Sequence, residues 1–191
     1  MARPRQFNND QVVNAIELLF WEKGYEGTSY ADLTQATRLG KGSLYAAYGN
    51  KKTLYIKALE NYIAREVDGL GTALITQYRA APELWRAHIG SFLNIAITAV
   101  SERADQRGCF LCNSAIDLAP FEPEVEAMVL AAFERIKQTL HLIIKDAVNI
   151  EKQPAMLEHL LTVYLGLRVM AKAGTSPARL CLARDMAMST L

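Results

Sequence analysis

Residues 28–52 concentrate side chains that can hold a phosphate or read a base edge. Thr28, Ser29 and Tyr30 offer hydroxyls. Lys41, Ser43, Tyr45 and Tyr48 add a cation, another hydroxyl and two phenols, and Lys51 and Lys52 follow. Hydroxyls and phenols donate to phosphate oxygens and base edges. Each ammonium that displaces a condensed counterion adds sequence-independent affinity for nucleic acid. Lys51 and Lys52 fall in the first turn of a predicted helix, where the positive end of the dipole disfavours cations. A docked phosphate reverses that sign, because backbone N–H groups and ammonium groups then face one anion. Without such an anion the two lysines are a solvated charged face. Arg3 and Arg5 form a basic arm that can reach a minor groove, the competing reading being a tail without fixed structure.

A second grouping is Cys109 and Cys112, in Gly-Cys-Phe-Leu-Cys. Two cysteines spaced this way at a helix N-terminus can have lowered thiol pKa values and close a disulfide, the chemistry of a redox switch. The competing reading is two small apolar residues on one buried helical face. A zinc site needs two more ligands, and Cys181, His88, His141 and His159 stand at no recognisable spacing for one. Gly40-Lys41-Gly42-Ser43 lacks the spaced glycine and the hydroxyl directly after Lys that a phosphate-binding loop requires. Neither H-E-x-x-H nor G-x-S-x-G occurs. The sequence therefore predicts a protein that is not an enzyme and has no resident metal or cofactor.

The elements that position these residues are helical. The chain has 191 residues, 51% hydrophobic and 21% charged, enough for a real core and ordinary for a globular protein. No apolar run reaches the ~18–20 residues of a membrane span, and the polar, basic start lacks a signal-peptide core. With an odd number of cysteines, three, the expectation is a cytoplasmic protein without disulfides and without a membrane partner. Net charge is +1, unevenly spread: residues 1–65 hold nine Lys and Arg against six Asp and Glu, the remainder twelve against fourteen.

Asn8 and Gln11 read as a capping box and Phe7 and Val12 as a staple for a first helix carrying Val12, Ile16, Leu19 and Phe20, with Gly24 as its stop. Ser29, with Asp32, caps a two-turn helix over 30–37. After a break at Leu39–Gly40 comes a second short helix over 41–48, with Leu44 and Ala47 inward and Lys41, Tyr45 and Tyr48 outward. Tyr48 is the phenol with the stronger claim to the core. Asn50 caps a long helix reaching to about residue 80. Helices are expected near 83–101, 108–119, 123–149, 154–173 and 177–190, with a charged surface connection over 102–107. Two short helices around a tight turn, after a longer one, have the outline of a helix-turn-helix.

The stretch from Phe7 to Lys57 resembles the DNA-binding domain of the TetR family of bacterial transcription regulators. The residues that carry the resemblance are Gly24, Tyr25, Thr28, Ser29, Lys41, Gly42, Ser43, Leu44, Tyr45, Tyr48, Lys51 and Leu54, in order. They span about a quarter of the chain. The family favours glycine in the turn between the short helices, where this chain has Arg38. Either Arg38 accepts a left-handed conformation at about 1–2 kcal/mol, or the turn differs and Gly40 takes its place.

The resemblance implies an all-α protein: a three-helix DNA-binding domain over residues 1–50 and a helical effector-binding and dimerisation domain over 51–191. It implies double-stranded operator DNA and a small-molecule effector as partners, and a repressor released from DNA by that effector. It also implies an effector pocket among the later helices, for which Trp85, His88, Phe92, Phe110, Met128, Phe133 and Tyr164 are candidates suited to a mostly apolar ligand. Two half-sites demand a two-fold homodimer. The helix over 154–173 is apolar on more than one face. With the last helix it is the expected interface, through Leu160, Tyr164, Leu167, Leu180 and Met186. Two rivals stand beside this reading: a thiol switch at Cys109 and Cys112 on the same scaffold, and an all-α small-molecule carrier or enzyme.

Overall fold

The computed structural model describes residues 9–101 and 107–191. Phe7, Asn8, Arg3, Arg5 and most of the 102–107 connection lie outside the described residues. Every regular element among the described residues is helical. None of these helices is long and apolar enough to cross a membrane. Contacts divide the chain into two compact units, the first ending at Ala64 and the second running Arg65–Leu191.

The first unit is built on α1 (Asn9–Lys23), α2 (Tyr30–Thr37), α3 (Lys41–Tyr48) and α4 (Lys51–Tyr62). Helix α1 buries Val12, Ile16, Phe20 and Trp21 and stops where Gly24 turns left-handed at φ 72°. Its buried stripe packs on α4, with Phe20 edge-on to Tyr55 and Trp21 edge-on to Tyr62, both at 5.0 Å between ring centres. Glu17 is also buried, and Asn61 of α4 donates to its carboxylate at 2.6 Å and to Asn14 at 2.9 Å. Helix α4 is thus part of the first unit's core, and the compact unit extends past residue 50.

The predicted helix from Asn50 to about residue 80 is helical throughout but not uniform. A π-helical segment, Ile63–Gly69, separates α4 from α5 (Leu70–Ala80). The unit boundary falls inside it. Alternation of apolar residues does not announce an i→i+5 step, so this feature has no sequence signal.

The second unit continues through a short 3₁₀ turn (Pro82–Leu84) into α6 (Trp85–Ser101), α7 (Phe110–Asp117), α8 (Pro123–Ile144), α9 (Gln153–Lys172) and α10 (Pro177–Met188). Prolines 123, 154 and 177 sit at helix starts, where a missing N–H costs nothing. Helix α6 packs against α9 and α10, and α8 against α5 and α9. The core is aliphatic: Ile89, Leu93, Val125, Leu140, Ile143, Ile144, Leu160 and Leu180 are fully enclosed.

Candidate nucleic-acid interface

The site begins with the cap of α2. Ser29 Oγ accepts from the Asp32 backbone N–H at 3.1 Å, and Asp32 accepts from the Ser29 N–H at 2.8 Å, a reciprocal capping box. Lys23 pairs with Asp32 at 2.6 Å, tying the end of α1 to the start of α2. Lys23, with Ser29 helping, holds the Asp32 carboxyl well below the usual carboxylate range. The helix then ends at Arg38, φ 56° and ψ 23°, the left-handed non-glycine residue among those described. Gly40 is ordinary extended backbone at φ −64°. Of the two alternatives for the turn, the strained one holds: Arg38 bears the left-handed conformation and Gly40 does not replace it.

Helix α3 buries Leu44 and Tyr48 and exposes Lys41, Gly42, Ser43, Ala46 and Ala47, with Tyr45 half-buried. The expected inward pair of Leu44 and Ala47 is corrected to Leu44 and Tyr48, an i, i+4 pair. Tyr48 therefore does not face outward. Its hydroxyl donates to Asn9 at 2.6 Å, so the ring fills the core and its polar end is satisfied on α1. Thr28 is likewise corrected: it is buried, and its hydroxyl donates to the Gly24 carbonyl at 2.7 Å. Both residues support the face rather than form it.

What remains outward is a compact set. Tyr30 of α2 and Tyr45 of α3 pack ring to ring at 5.1 Å, and the Lys41 ammonium lies 5.2 Å from one ring centre and 5.8 Å from the other. Partial desolvation, then the neighbouring Tyr30 hydroxyl, push the Tyr45 phenol up to about 12, so it is a neutral donor at physiological pH. Ser43 stands exposed one turn from Ala46 and Ala47. A β-carbon added to Gly42 would meet nothing within 4 Å.

Asn50 caps α4 by accepting from the Thr53 N–H at 2.9 Å. The first turn carries Lys51 and Lys52 and no acid. Lys51 Nζ sits 4.4 Å from the centre of the Tyr25 ring, itself edge-on to Tyr55 at 5.4 Å. Lys51 is thus held, not merely solvated. Sequence reasoning passed over Tyr25 as a support, although its place beside Gly24 was in view.

The other expected groupings fare differently. Phe92 and Tyr164 meet at 4.3 Å between ring centres. Phe110 is fully enclosed, Trp85, Met128 and Phe133 are half-buried, and His88 bonds the Ala81 carbonyl at 3.0 Å. None of these seven lines either of two clefts found among the described residues. A cleft of about 600 Å³ lies between α8 and α9, walled by Lys137, His141, Gln153 and Leu157. Another of about 330 Å³ lies beside Asp68, Thr72, Arg135 and Thr139.

Cys109 and Cys112 are both buried and free of disulfide. Their mutual contact, with burial second, pushes the Cys112 thiol far up. A thiol so held is the reverse of the exposed, lowered-pKa group a redox switch requires. Beside them Arg168, missed in the sequence, is buried, donates to the Gly108 carbonyl at 3.0 Å and lies 6.0 Å from the Tyr164 ring.

For the expected interface, Leu160, Tyr164, Leu167 and Leu180 are buried within the chain and not available to a partner. Only Met186 of that set is exposed, at 70%. The apolar side chains α9 and α10 leave outside are Val169, Met170, Leu182 and Met186.

Comparison with known proteins places this geometry. Residues 12–58 match the model of "Bacterial regulatory proteins, tetR family". The chain is 30% identical over 125 residues to an uncharacterized HTH-type transcriptional regulator, YezE, of Bacillus subtilis, covering 65% of this chain and 62% of that one. It is 25% identical over 187 residues to the HTH-type transcriptional repressor BdcR of Escherichia coli, covering 97% and 90%. Among solved structures, a cysteine mutant of the TetR family transcriptional regulator CifR, complexed with 26 bp double-strand operator DNA, superposes with a TM-score of 0.77 at 26% identity over 98% of both chains. A TetR-family regulator from Cytophaga hutchinsonii shares the fold, with a TM-score of 0.78 at 21% identity.

Proposed function

We propose that this chain, whose residues 12–58 match the tetR family of bacterial regulatory proteins, reads operator DNA as a homodimer and represses transcription until a small molecule releases it. It is a DNA-binding transcriptional regulator of the helix-turn-helix type. The observation that carries the reading is the outward face of α3. Leu44 and Tyr48 anchor it, leaving Lys41, Ser43 and Tyr45 to face a groove. Ser29, Lys51 and Lys52 flank it at two helix starts, where phosphates dock on backbone N–H groups, and Tyr30 packs against Tyr45 beside them. The N-terminal helices do the reading, and the later ones hold effector and partner. An effector site near Phe92 and Tyr164 fits the aromatic contact there. The exposed Val169, Met170, Leu182 and Met186 are the apolar surface offered to a second copy. Nothing in this reading calls for catalysis, and its place of work is the cytoplasm.

The test is selection of bound duplexes from a random pool by the purified protein, followed by titration of the winners at several salt concentrations. A palindromic winner with a steep salt slope is the expected result. Lys51→Ala then lowers that slope by about 1 and weakens binding to all sequences alike. A folded protein that enriches no sequence overturns the reading. So does a slope Lys51→Ala leaves untouched, as regards the phosphate role.

A further inference from the structure

The packing of α2 on α3 singles out one side chain. Tyr30 lies at the start of α2, on the opposite side of the turn from the recognition residues. Its ring covers the Tyr45 ring at 5.1 Å, and Lys41 Nζ hangs over both. Lys41 opens α3, at the end of a recognition helix that contacts base edges. A free Lys has many rotamers to lose, and a Tyr on a short exposed helix samples several rotamers. Both losses fall on the protein when DNA binds, unless something has ordered these side chains beforehand. The two aromatic contacts do that ordering within a single unit of the fold.

Resting on the DNA-binding reading above, we infer that Tyr30 is a positioning residue for sequence recognition: its ring pre-orders Tyr45 and Lys41 on the reading face and does not itself take a phosphate. The Tyr45 phenol, held neutral by the same neighbourhood, then presents a hydrogen-bond donor in a preset place. The ring packs on Tyr45 and Lys41, and the Tyr30 hydroxyl bonds the Tyr45 side chain, so both parts position the neighbours. A phosphate contact by that hydroxyl would instead weaken both duplexes alike.

The experiment measures affinity for the selected duplex and for a scrambled duplex, in wild type, Tyr30→Ala, Tyr30→Phe, Tyr45→Ala, Lys41→Ala and the two double variants pairing Tyr30→Ala with each. Tyr30→Ala is expected to lose about 10-fold on the selected duplex and little on the scrambled one. Tyr30→Phe is expected to recover most of the loss on the selected duplex, since it keeps the ring and gives up only the bond to Tyr45. In each double variant the losses are expected to fall short of the product of the singles, because Tyr30 acts through its two neighbours. Equal losses on both duplexes, failure of Tyr30→Phe to rescue, or multiplicative losses each overturn the assignment. Should Tyr30→Ala not fold, the Tyr30→Phe comparison still decides, since a Phe variant weakened equally on both duplexes points to a phosphate contact and one weakened only on the selected duplex to positioning. Wild-type protein that selects no duplex sinks the DNA reading itself, whereas a wild-type operator with multiplicative losses sinks only the role of Tyr30.

Discussion

At the scale of single residues, the site is shaped by side chains that look inward. Tyr48 and Thr28 have the chemistry to touch DNA, but each spends its hydroxyl inside the fold, on Asn9 and on the Gly24 carbonyl. Burial of an unsatisfied hydroxyl costs about 1–3 kcal/mol, so a buried phenol is held wherever a partner exists. Arg38 shows the opposite economy: it stays exposed and accepts a left-handed backbone. Relief of that strain outweighs the greater chain entropy of glycine. Arg38→Gly is therefore expected to raise unfolding stability by about 0.5–1 kcal/mol, read by chemical denaturation. A variant less stable than wild type would mean that the Arg38 side chain holds the turn through its own contacts.

At the scale of elements, α2 depends on a charged cap. Asp32 accepts from Lys23 and from Ser29, which depresses its pKa in the folded protein. A depressed carboxyl contributes stability that is present above its unfolded pKa of about 3.9 and lost as pH falls through the lower folded value. Asp32→Asn should lower stability near neutrality and flatten the loss of helix on acidification below about pH 4, followed by circular dichroism. An acid limb identical to wild type would assign that transition to other carboxylates. Helix α3 has a different peculiarity, glycine in its first turn with open space around it. Alanine there favours the helix by up to about 1 kcal/mol. Gly42→Ala is expected to melt higher and yet bind the selected duplex more weakly if, on the proposed reading, a DNA backbone approaches this open face. Higher melting with undiminished affinity would show that the space is not used.

At the scale of the whole molecule, the proposed reading of a two-half-site operator calls for two copies, joined through the chain's own surface. The residues of α9 and α10 that face the core, Leu160, Tyr164, Leu167 and Leu180, are already committed. Leu182 and Met186 are exposed at 71% and 70%. Leu182→Glu combined with Met186→Glu is expected to shift the protein to monomer in sedimentation velocity and to reduce operator affinity by more than about 10-fold, with helix content unchanged. A dimer that persists would move the interface elsewhere. Buried Cys109 and Cys112 bear on the same scale. A buried Cys112 thiol pushed up by its contact with Cys109 speaks against a thiol switch at this place.

Much of this was legible in the sequence because it is local. The stop at Gly24, the Ser29 and Asp32 box, the turn at Arg38 and the cap at Asn50 depend on residues within a few positions of each other, and the chain carries those rules on its face. Proline at helix starts located α8 to α10 in the same way. Which face of a helix turns inward is not local. Leu44 with Ala47 and Leu44 with Tyr48 are equally good helical pairs, and Asn9, thirty-nine residues away, decided between them. Apolar residues on α9 and α10 were visible, but only packing against α6 and α8 consumed some and left Val169, Met170, Leu182 and Met186 outside. Local chemistry determined the elements and their ends. Tertiary packing decided what each side chain faces, because burial and hydrogen-bond satisfaction are summed over neighbours that only the folded chain brings together.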